Sequence, residues 1–124
     1  MNIVEPADQR VTTTPNATMT TLASPTLGDS RLSLWQVEMN PGVTGPLHAF
    51  AEQVTWAITG GSGTLTADDA PPVPLSPGTT VVLDGGRMRQ FTAGPDGFTA
   101  VVAAIPSVAT AAHDGAVTTP PWVA

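Results

Sequence analysis

Apolar and polar residues alternate with a period of two over several short stretches of the chain. In the stretch RLSLWQVEM, residues 31–39, the alternation places Ser33, Trp35, Val37 and Met39 on one face and Leu32, Leu34, Gln36 and Glu38 on the other. No stretch sustains apolar residues at the i, i+3, i+4 and i+7 spacing of an amphipathic helix. The pattern therefore predicts an all-β chain with no major helices.

Further strands are predicted after this one. QVTWAIT and GTLTA, residues 53–59 and 63–67, read as a hairpin through Gly60, Gly61 and Ser62. TTVVLD, RMRQFTA and FTAVVAAI follow, with turns predicted at GG (85–86) and GPDG (94–97). FTAVVAAI is apolar at both odd and even positions, so we expect it to be covered on both faces. Many short strands with regular turn signals predict an antiparallel barrel or sandwich, of which a jelly roll is the preferred topology.

The chain divides into three parts around one domain. At 124 residues it is long enough for a single core. Residues 1–18 are polar and Thr-rich and predict an arm or an edge strand, and residues 19–106 hold the predicted barrel. Residues 107–124 form an Ala-, Thr- and Pro-rich tail that ends in TTPPWVA. We expect this tail to pack on the barrel or on a partner subunit, with Trp122 closing one end.

Composition and charge exclude several classes of protein. The absence of cysteine excludes disulfides and thiolate metal sites, and thirteen prolines and twelve glycines disfavour long helices. A net charge of -6 disfavours nucleic-acid binding. The charged fraction of 11% is low for a small domain, which predicts a homodimer that covers uncharged surface. The first residues do not match a signal peptide and no apolar run is long enough for a bilayer, so we expect no membrane partner and a cytoplasmic location.

Two segments carry a resemblance to a known family. PGVTGPLHAFAEQVTWAITG, residues 41–60, and PGTTVVLDGGRMRQF, residues 77–91, resemble the two sequence motifs of the cupins, and in particular those of small single-domain bacterial members. Gly42, Gly60 and Gly86 fit the glycines of those motifs. The resemblance covers Leu32 to Ile105 and implies a double-stranded β-helix, the jelly-roll barrel of that family.

The departures from the cupin pattern concern the metal ligands. In cupins, two His and one Glu of the first motif and one His of the second converge on a metal. Here His48 stands alone, Phe50 takes the place of the second His, and Arg89 takes the place of the His in the second motif. Counting back from Gly60 puts Gln53 in the Glu position, with Glu52 beside it. Because arginine offers no lone pair and a metal needs three or four ligands, we predict a barrel without a metal or other cofactor.

The resemblance also implies which side chains line the barrel. His48 is expected at the mouth. The predicted lining consists of Gln53, Thr55, Ala57, Arg87, Arg89, Phe91 and Ala93, with Trp35, Val37 and Phe50 as apolar walls. A mostly apolar pocket with a few polar groups is typical of a small-molecule site.

This set of residues suggests proton-transfer chemistry. Arg89 can hold a carboxylate, phenolate or enolate, and His48 can move a proton near neutral pH, with Glu52 as the second choice of acid or base. The predicted substrate-binding residues are Arg89, Gln53, Thr55, Phe50, Phe91 and Trp35. The prediction is a metal-independent enzyme of bacterial secondary-metabolite biosynthesis. It would isomerise, dehydrate, cyclise or decarboxylate a hydrophobic, oxygenated small molecule.

Two other functions fit the same residues. One is a metal-dependent oxygenase or isomerase with an atypical ligand set of His48, Glu52 and Gln53, with His113 of the tail as a possible further ligand. The other is a cupin that binds a small molecule without turning it over. Simpler structural roles are also open: Arg89 pairing with Asp84, Glu52 or Glu38, and Trp35 and Trp56 filling the core or a dimer interface.

Overall fold

Ten β-strands form in the residues that the computed structural model describes, 1–68 and 70–124. Their bounds are β1 Arg10–Thr13, β2 Ala17–Ala23, β3 Ser33–Met39, β4 His48–Phe50, β5 Val54–Ala67, β6 Val73–Leu75, β7 Thr80–Leu83, β8 Arg89–Ala104, β9 Ala109–Ala111 and β10 Val117–Thr118. A single 3₁₀ turn, Pro6–Asp8, is the one helical element of these ranges. Asp69 lies outside the described residues.

The strands pair only with antiparallel neighbours and curl into two facing layers. The continuous path runs β1-β2-β3-β8-β4-β9-β10, and β5 pairs with β6, β7 and β8. Both β5 and β8 are long enough to belong to both layers: Val54–Gly61 pairs with Phe98–Ala104, and Gly63–Ala67 pairs with Arg89–Ala93. This arrangement is the predicted jelly-roll barrel, so the all-β fold class is confirmed.

The chain passes straight through two places where turns were expected. The hairpin predicted at residues 60–62 is wrong, because Val54–Ala67 is one bulged strand, and the turn predicted at residues 94–97 is wrong, because Arg89–Ala104 is also continuous. The glycines serve instead for close approach of the two long strands. Gly61 has φ +73°, and a Cβ there would overlap the carbonyl oxygen of Gly97 and lie 2.8 Å from the Cα of Phe98.

The alternation predicted for residues 31–39 determines which face of β3 points inward. Trp35, Val37 and Met39 are buried, whereas Gln36 and Glu38 are exposed. They join a core made of aromatic and aliphatic side chains from both layers, with Val54, Val102 and Val123 fully enclosed. The inward face of β3 is therefore as predicted.

The expectation that residues 98–105 are covered on both faces is wrong for a single copy of the chain. Phe98, Ala100, Val102 and Ala104 are buried, but Ile105 is 49% exposed. The side chains of odd number point to the outer face of the sheet, because a strand sends successive side chains to opposite sides. The predicted homodimer, which would cover this outer face, stays a prediction.

The tail lies against the barrel. Strand β9 pairs with β4, and β10 pairs with β9. Thr21 Oγ1 donates a hydrogen bond to the carbonyl oxygen of Trp122 at 3.1 Å, and Ser33 Oγ donates to that of Val123. Strand β1 at the other end of the chain is an edge strand on β2. Both ends of the chain therefore contribute to the barrel. No helix within the described ranges is long and apolar enough to cross a membrane.

A glycine substitution tests the close approach of β5 and β8. We expect Gly61→Ala to lower the free energy of unfolding by at least ~3 kcal/mol, because it combines positive φ with overlap of backbone atoms. Gly78→Ala is the matched control, since Gly78 has φ +92° with no atom near its missing Cβ, and should cost about 1 kcal/mol. Urea unfolding followed by circular dichroism measures both, and equal losses would show that the two strands do not touch at Gly61.

Candidate functional site

A cavity of about 290 Å³ opens between the inward faces of the barrel strands, the N-terminal arm and the tail. Its walls are mostly apolar. They include Met19 of β2, Val37 and Met39 of β3, His48 and Phe50 of β4, Trp56 of β5, Phe91 of β8, Ala109 and Ala111 of β9, and Pro120 and Trp122 of the tail. Among the lining residues that the structure describes, His48 is the one titratable side chain. A space of this kind suits a small hydrophobic ligand.

His48 begins β4 and is held by hydrogen bonds on two sides of its strand. Its backbone is in register with Arg89 of β8 on one side and with Ala111 of β9 on the other. Its ring nitrogen Nδ1 lies 2.9 Å from the carbonyl oxygen of Pro46. Since a carbonyl oxygen can only accept, Nδ1 donates, and in the neutral ring the lone pair is on Nε2. The hydrogen bond to Pro46 therefore selects the tautomer in which Nε2 is the base.

Its surroundings keep the His48 imidazole neutral. Burial lowers the pKa of His48 below its ordinary value of 6.5, the hydrogen bond to Pro46 raises it, and the charge of Arg89 lowers it again. The net shift is downward, because burial and a nearby cation both disfavour the charged ring. At neutral pH, His48 is thus ready to accept a proton.

Arg89 is buried without a partner for its charge. Its side chain is 1% exposed, and Nε and Nη2 have no hydrogen-bond partner among the residues described. Burial lowers the pKa of Arg89 to about 10, so the guanidinium stays charged at neutral pH. The face of the guanidinium lies over the ring of Phe50, with 4.8 Å between Cζ and the ring centroid. Phe50 lines the cavity and Arg89 does not, so the ring of Phe50 lies between the guanidinium and the cavity.

Aromatic side chains join the two layers beside these groups. Trp56 and Phe91 stack with 4.2 Å between ring centroids, and Phe50 contacts Trp35 at 6.5 Å. The predicted positions of Phe50, Phe91 and Trp35 in the interior are correct, although Trp35 lies behind the cavity wall. Trp56 has a buried indole N–H without a partner in the described part of the chain. The interior therefore presents hydrogen-bond donors that lack acceptors.

The predicted lining from the first motif is out of phase by one residue. Val54, Trp56 and Ile58 point inward, so Gln53, Thr55 and Ala57 lie on the outside of the barrel. The reason is a β-bulge: Ile58 pairs with Ala100 and Gly60 with Thr99, which leaves Thr59 as an extra residue. Counting back from Gly60 across this bulge inverted the inward and outward positions. Gln53 instead donates a hydrogen bond from Nε2 to Asp84 Oδ1 at 3.3 Å.

Two charged residues of the prediction also lie outside the cavity. Glu52 is exposed in the bend between β4 and β5, where its backbone N–H bonds the hydroxyl of Ser107 at 3.2 Å. Arg87 is exposed and pairs with Asp68, with 2.9 Å between Nε and Oδ2. Glu52 lies at the bend, as expected once Gln53 is placed in the Glu position, and does not reach the cavity for the predicted acid-base role. The predicted inward position of Arg87 is wrong, whereas Arg89, Phe91 and Ala93 are buried as predicted.

Several lining residues were not identified from the sequence as part of the site. Met19, Ala109, Ala111 and Pro120 come from β2 and from the tail, outside the two motif segments. The Pro-Pro-Trp sequence of the tail was the one available signal, and it indicated a covering role for Trp122. The cavity thus depends on segments that pair only in the folded chain.

Comparisons with solved structures establish the fold. Bacillus subtilis oxalate decarboxylase superposes with a TM-score of 0.72 at 14% identity, over 80% of this chain and 28% of that one. The Lactobacillus farciminis oxalate decarboxylase formate complex gives 0.71 at 17%, over 80% and 31%. The coconut allergen cocosin gives 0.72 at 21%, over 90% and 32%.

These neighbours are cupins, and the chain has the cupin fold. It spans about a third or less of the length of the neighbours, each of which is under 25% identical. No family model matches the sequence, and no curated protein matches it. The likeness is one of fold.

A metal of the kind that cupins hold does not fit the residues present. Between residues 1 and 68 and from 70 onward, no three His, Cys, Asp or Glu side chains come together as ligands. Phe50 and Arg89 stand where the resemblance to the cupin motifs puts two of the ligands, and Gln53 points away from the interior. A guanidinium beside His48 supplies positive charge where a cation would need lone pairs.

The lowered pKa of His48 gives a pH test of its burial. The unfolded chain takes up the proton near pH 6.5, whereas the folded chain resists it, so stability falls as the pH drops below 6.5 toward the folded pKa. We expect His48→Gln to lose less stability than the wild type between pH 7.5 and pH 5. Thermal unfolding across this range measures the difference. The surface variant His113→Gln is the control and should follow the wild type. Parallel curves for His48→Gln and the wild type would mean that folding does not lower the pKa of His48.

Proposed function

We propose that the protein is an enzyme that binds a hydrophobic, oxygen-bearing small molecule in the barrel cavity and transfers a proton through His48. One observation carries the proposal: a single oriented imidazole lines a mostly apolar cavity of about 290 Å³. The volume and apolar walls favour binding of a hydrophobic molecule. The basic Nε2 of His48 is suited to proton abstraction.

The proposed reaction begins with loss of a proton from carbon. Nε2 of His48 takes a proton from the carbon next to a carbonyl group. The electron pair of the C–H bond forms a C=C bond to the carbonyl carbon, and the π pair of the carbonyl moves onto its oxygen to give an enolate. The charge of Arg89 favours this anion, because a nearby cation acts strongly where water is excluded. Where a further C=C bond is conjugated with the enolate, return of the proton to the far end of that bond completes an isomerisation. Loss of hydroxide or attack on a second carbonyl leads to dehydration or cyclisation.

The same base returns the proton in this proposal. Glu52, the other predicted acid or base, is exposed on the bend and does not line the cavity. The His48 ring is fixed by Pro46 at Nδ1, so the imidazolium formed in the first step has only Nε2 free to donate. We therefore favour a mechanism with one acid-base residue, without a metal, over the metal-dependent alternative.

The neighbours in fold support an enzymatic role at a general level. Two of them are named oxalate decarboxylases. The choice among isomerisation, dehydration, cyclisation and decarboxylation, and the place in a bacterial biosynthetic pathway, remain part of the proposal. The second candidate function is binding without turnover, which the same apolar cavity favours, since nothing in a hydrophobic wall requires catalysis.

Exchange of carbon-bound hydrogen tests the proposal with a simple ketone. The probe is 2-tetralone in D₂O at pD 7.5, with exchange of its α-hydrogens followed by NMR. We expect the wild type to accelerate exchange and His48→Gln to lose about 100-fold or more of that acceleration. His113→Gln should match the wild type. Wild-type exchange equal to that of His48→Gln would contradict the catalytic role.

Cavity variants separate catalysis in the cavity from binding alone. Ala111→Phe places a ring in the cavity and should abolish both 2-tetralone binding and exchange. Ala57→Phe adds the same ring on the outer face, where Ala57 is exposed, and should change neither. Binding that Ala111→Phe blocks, together with no exchange in the wild type, would support the second candidate, a protein that binds without turnover.

A further inference from the structure

The two donors of Arg89 that lack partners lie on the same edge of the guanidinium. Nε and Nη2 are both buried and unpaired in the described residues. Their N–H bonds point in parallel from one side of the planar group. This is the edge that grips both oxygens of a carboxylate, with two parallel hydrogen bonds. The two donors therefore match the two oxygens of a planar carboxylate.

None of the acidic residues that could pair with Arg89 forms an ion pair with it in the described part of the chain. Asp84 accepts a hydrogen bond from Gln53, and Glu52 and Glu38 are exposed. None of these residues forms an ion pair with Arg89 in the part of the chain that the structure describes. A buried charge without a counter-charge is costly, so an external anion would bind here with a large gain.

The surroundings of Arg89 favour an acid with an apolar body. Cζ of Arg89 lies over the ring of Phe50, and Phe50 lines the cavity. Trp56, which also lines the cavity, has a second buried N–H without a partner in the described residues. Because Arg89 is 1% exposed and does not line the cavity, an acid bound there reaches the guanidinium only when the Phe50 ring moves aside, with its apolar part against the cavity walls.

We propose that Arg89 is the binding site for the carboxylate of a hydrophobic carboxylic acid, held through Nε and Nη2. The proposal rests on the proposed function of the cavity and adds the class of its substrate. A phenolate or enolate offers one oxygen and would use one of the two donors, so the geometry favours a carboxylate over them. The acid would lie within reach of His48, which neighbours Arg89 in the ladder between β4 and β8.

Two aromatic ligands that differ only in charge test the proposal. 2-Naphthoate carries the carboxylate, and 2-naphthamide has the same size and shape without the charge. By titration calorimetry at pH 7.5, we expect the wild type to bind the acid about 10- to 100-fold more tightly than the amide. Arg89→Met should lose this preference and keep its affinity for the amide. Arg89→Lys retains the charge but not the two-donor edge and should keep only part of the preference.

The outcomes separate this site from the cavity that it adjoins. Equal binding of acid and amide by the wild type would overturn the carboxylate site and leave the cavity proposal standing. A preference that survives in Arg89→Met would overturn it as well. Binding of the amide by Arg89→Met also shows that the variant is folded; if that variant is unfolded, the comparison between the wild type and Arg89→Lys decides.

Failure of both aromatic ligands to bind would count against the proposed cavity function. The carboxylate site is then judged with sodium acetate against sodium chloride at equal ionic strength. Acetate that raises the melting temperature of the wild type more than that of Arg89→Lys would support the site. Equal melting temperatures in the two salts would overturn it.

Discussion

A buried guanidinium without a counter-charge is the constraint on which the site depends. Arg89 is almost completely enclosed, and two of its N–H groups lack partners in the described chain. An isolated charge in an apolar interior is normally neutralised or paired. Arg89 does neither, since its pKa of about 10 keeps it charged at neutral pH. Burial first, and then this charge, lower the pKa of His48, and the charge disfavours a cation beside it. In the proposed function the same charge attracts an anionic group.

The fold places this charge through two long strands rather than through a local motif. Strands β5 and β8 run through both layers, so that Trp56 in one layer meets Phe91 in the other and Arg89 lies one inward position beyond Phe91. Gly61 and Gly97 allow these strands to approach at the bend. The tail then covers the cavity with Pro120 and Trp122. Aromatic and aliphatic packing on both sides of Arg89 therefore offsets the free-energy cost of burying its charge.

The sequence was a reliable guide where a single strand alternates and an unreliable one where strands bend. Trp35, Val37 and Met39 are inward as their spacing predicts, and the cupin barrel follows from the two motifs. The glycines at 60–61 and 94–97 looked like turns, because a residue without Cβ favours a turn and a close strand crossing alike. The bulge at Thr59 inverted the phase of Gln53 and Thr55, since a bulge changes the parity of every earlier position. The contribution of Ala109 and Ala111 depends on the pairing of β9 with β4, which local sequence does not encode.

The free energy of unfolding of Arg89→Met, compared with the wild type in buffer without organic acids, tests the central claim most directly. Replacing an unpaired buried charge by an apolar side chain of similar length removes a desolvation cost. Urea unfolding should therefore show the variant to be more stable, by about 1 to 3 kcal/mol. If Arg89 were instead paired with a carboxylate of the chain, the same substitution would leave that carboxylate without a partner. A loss of about 3 kcal/mol or more would then be measured and would contradict the account.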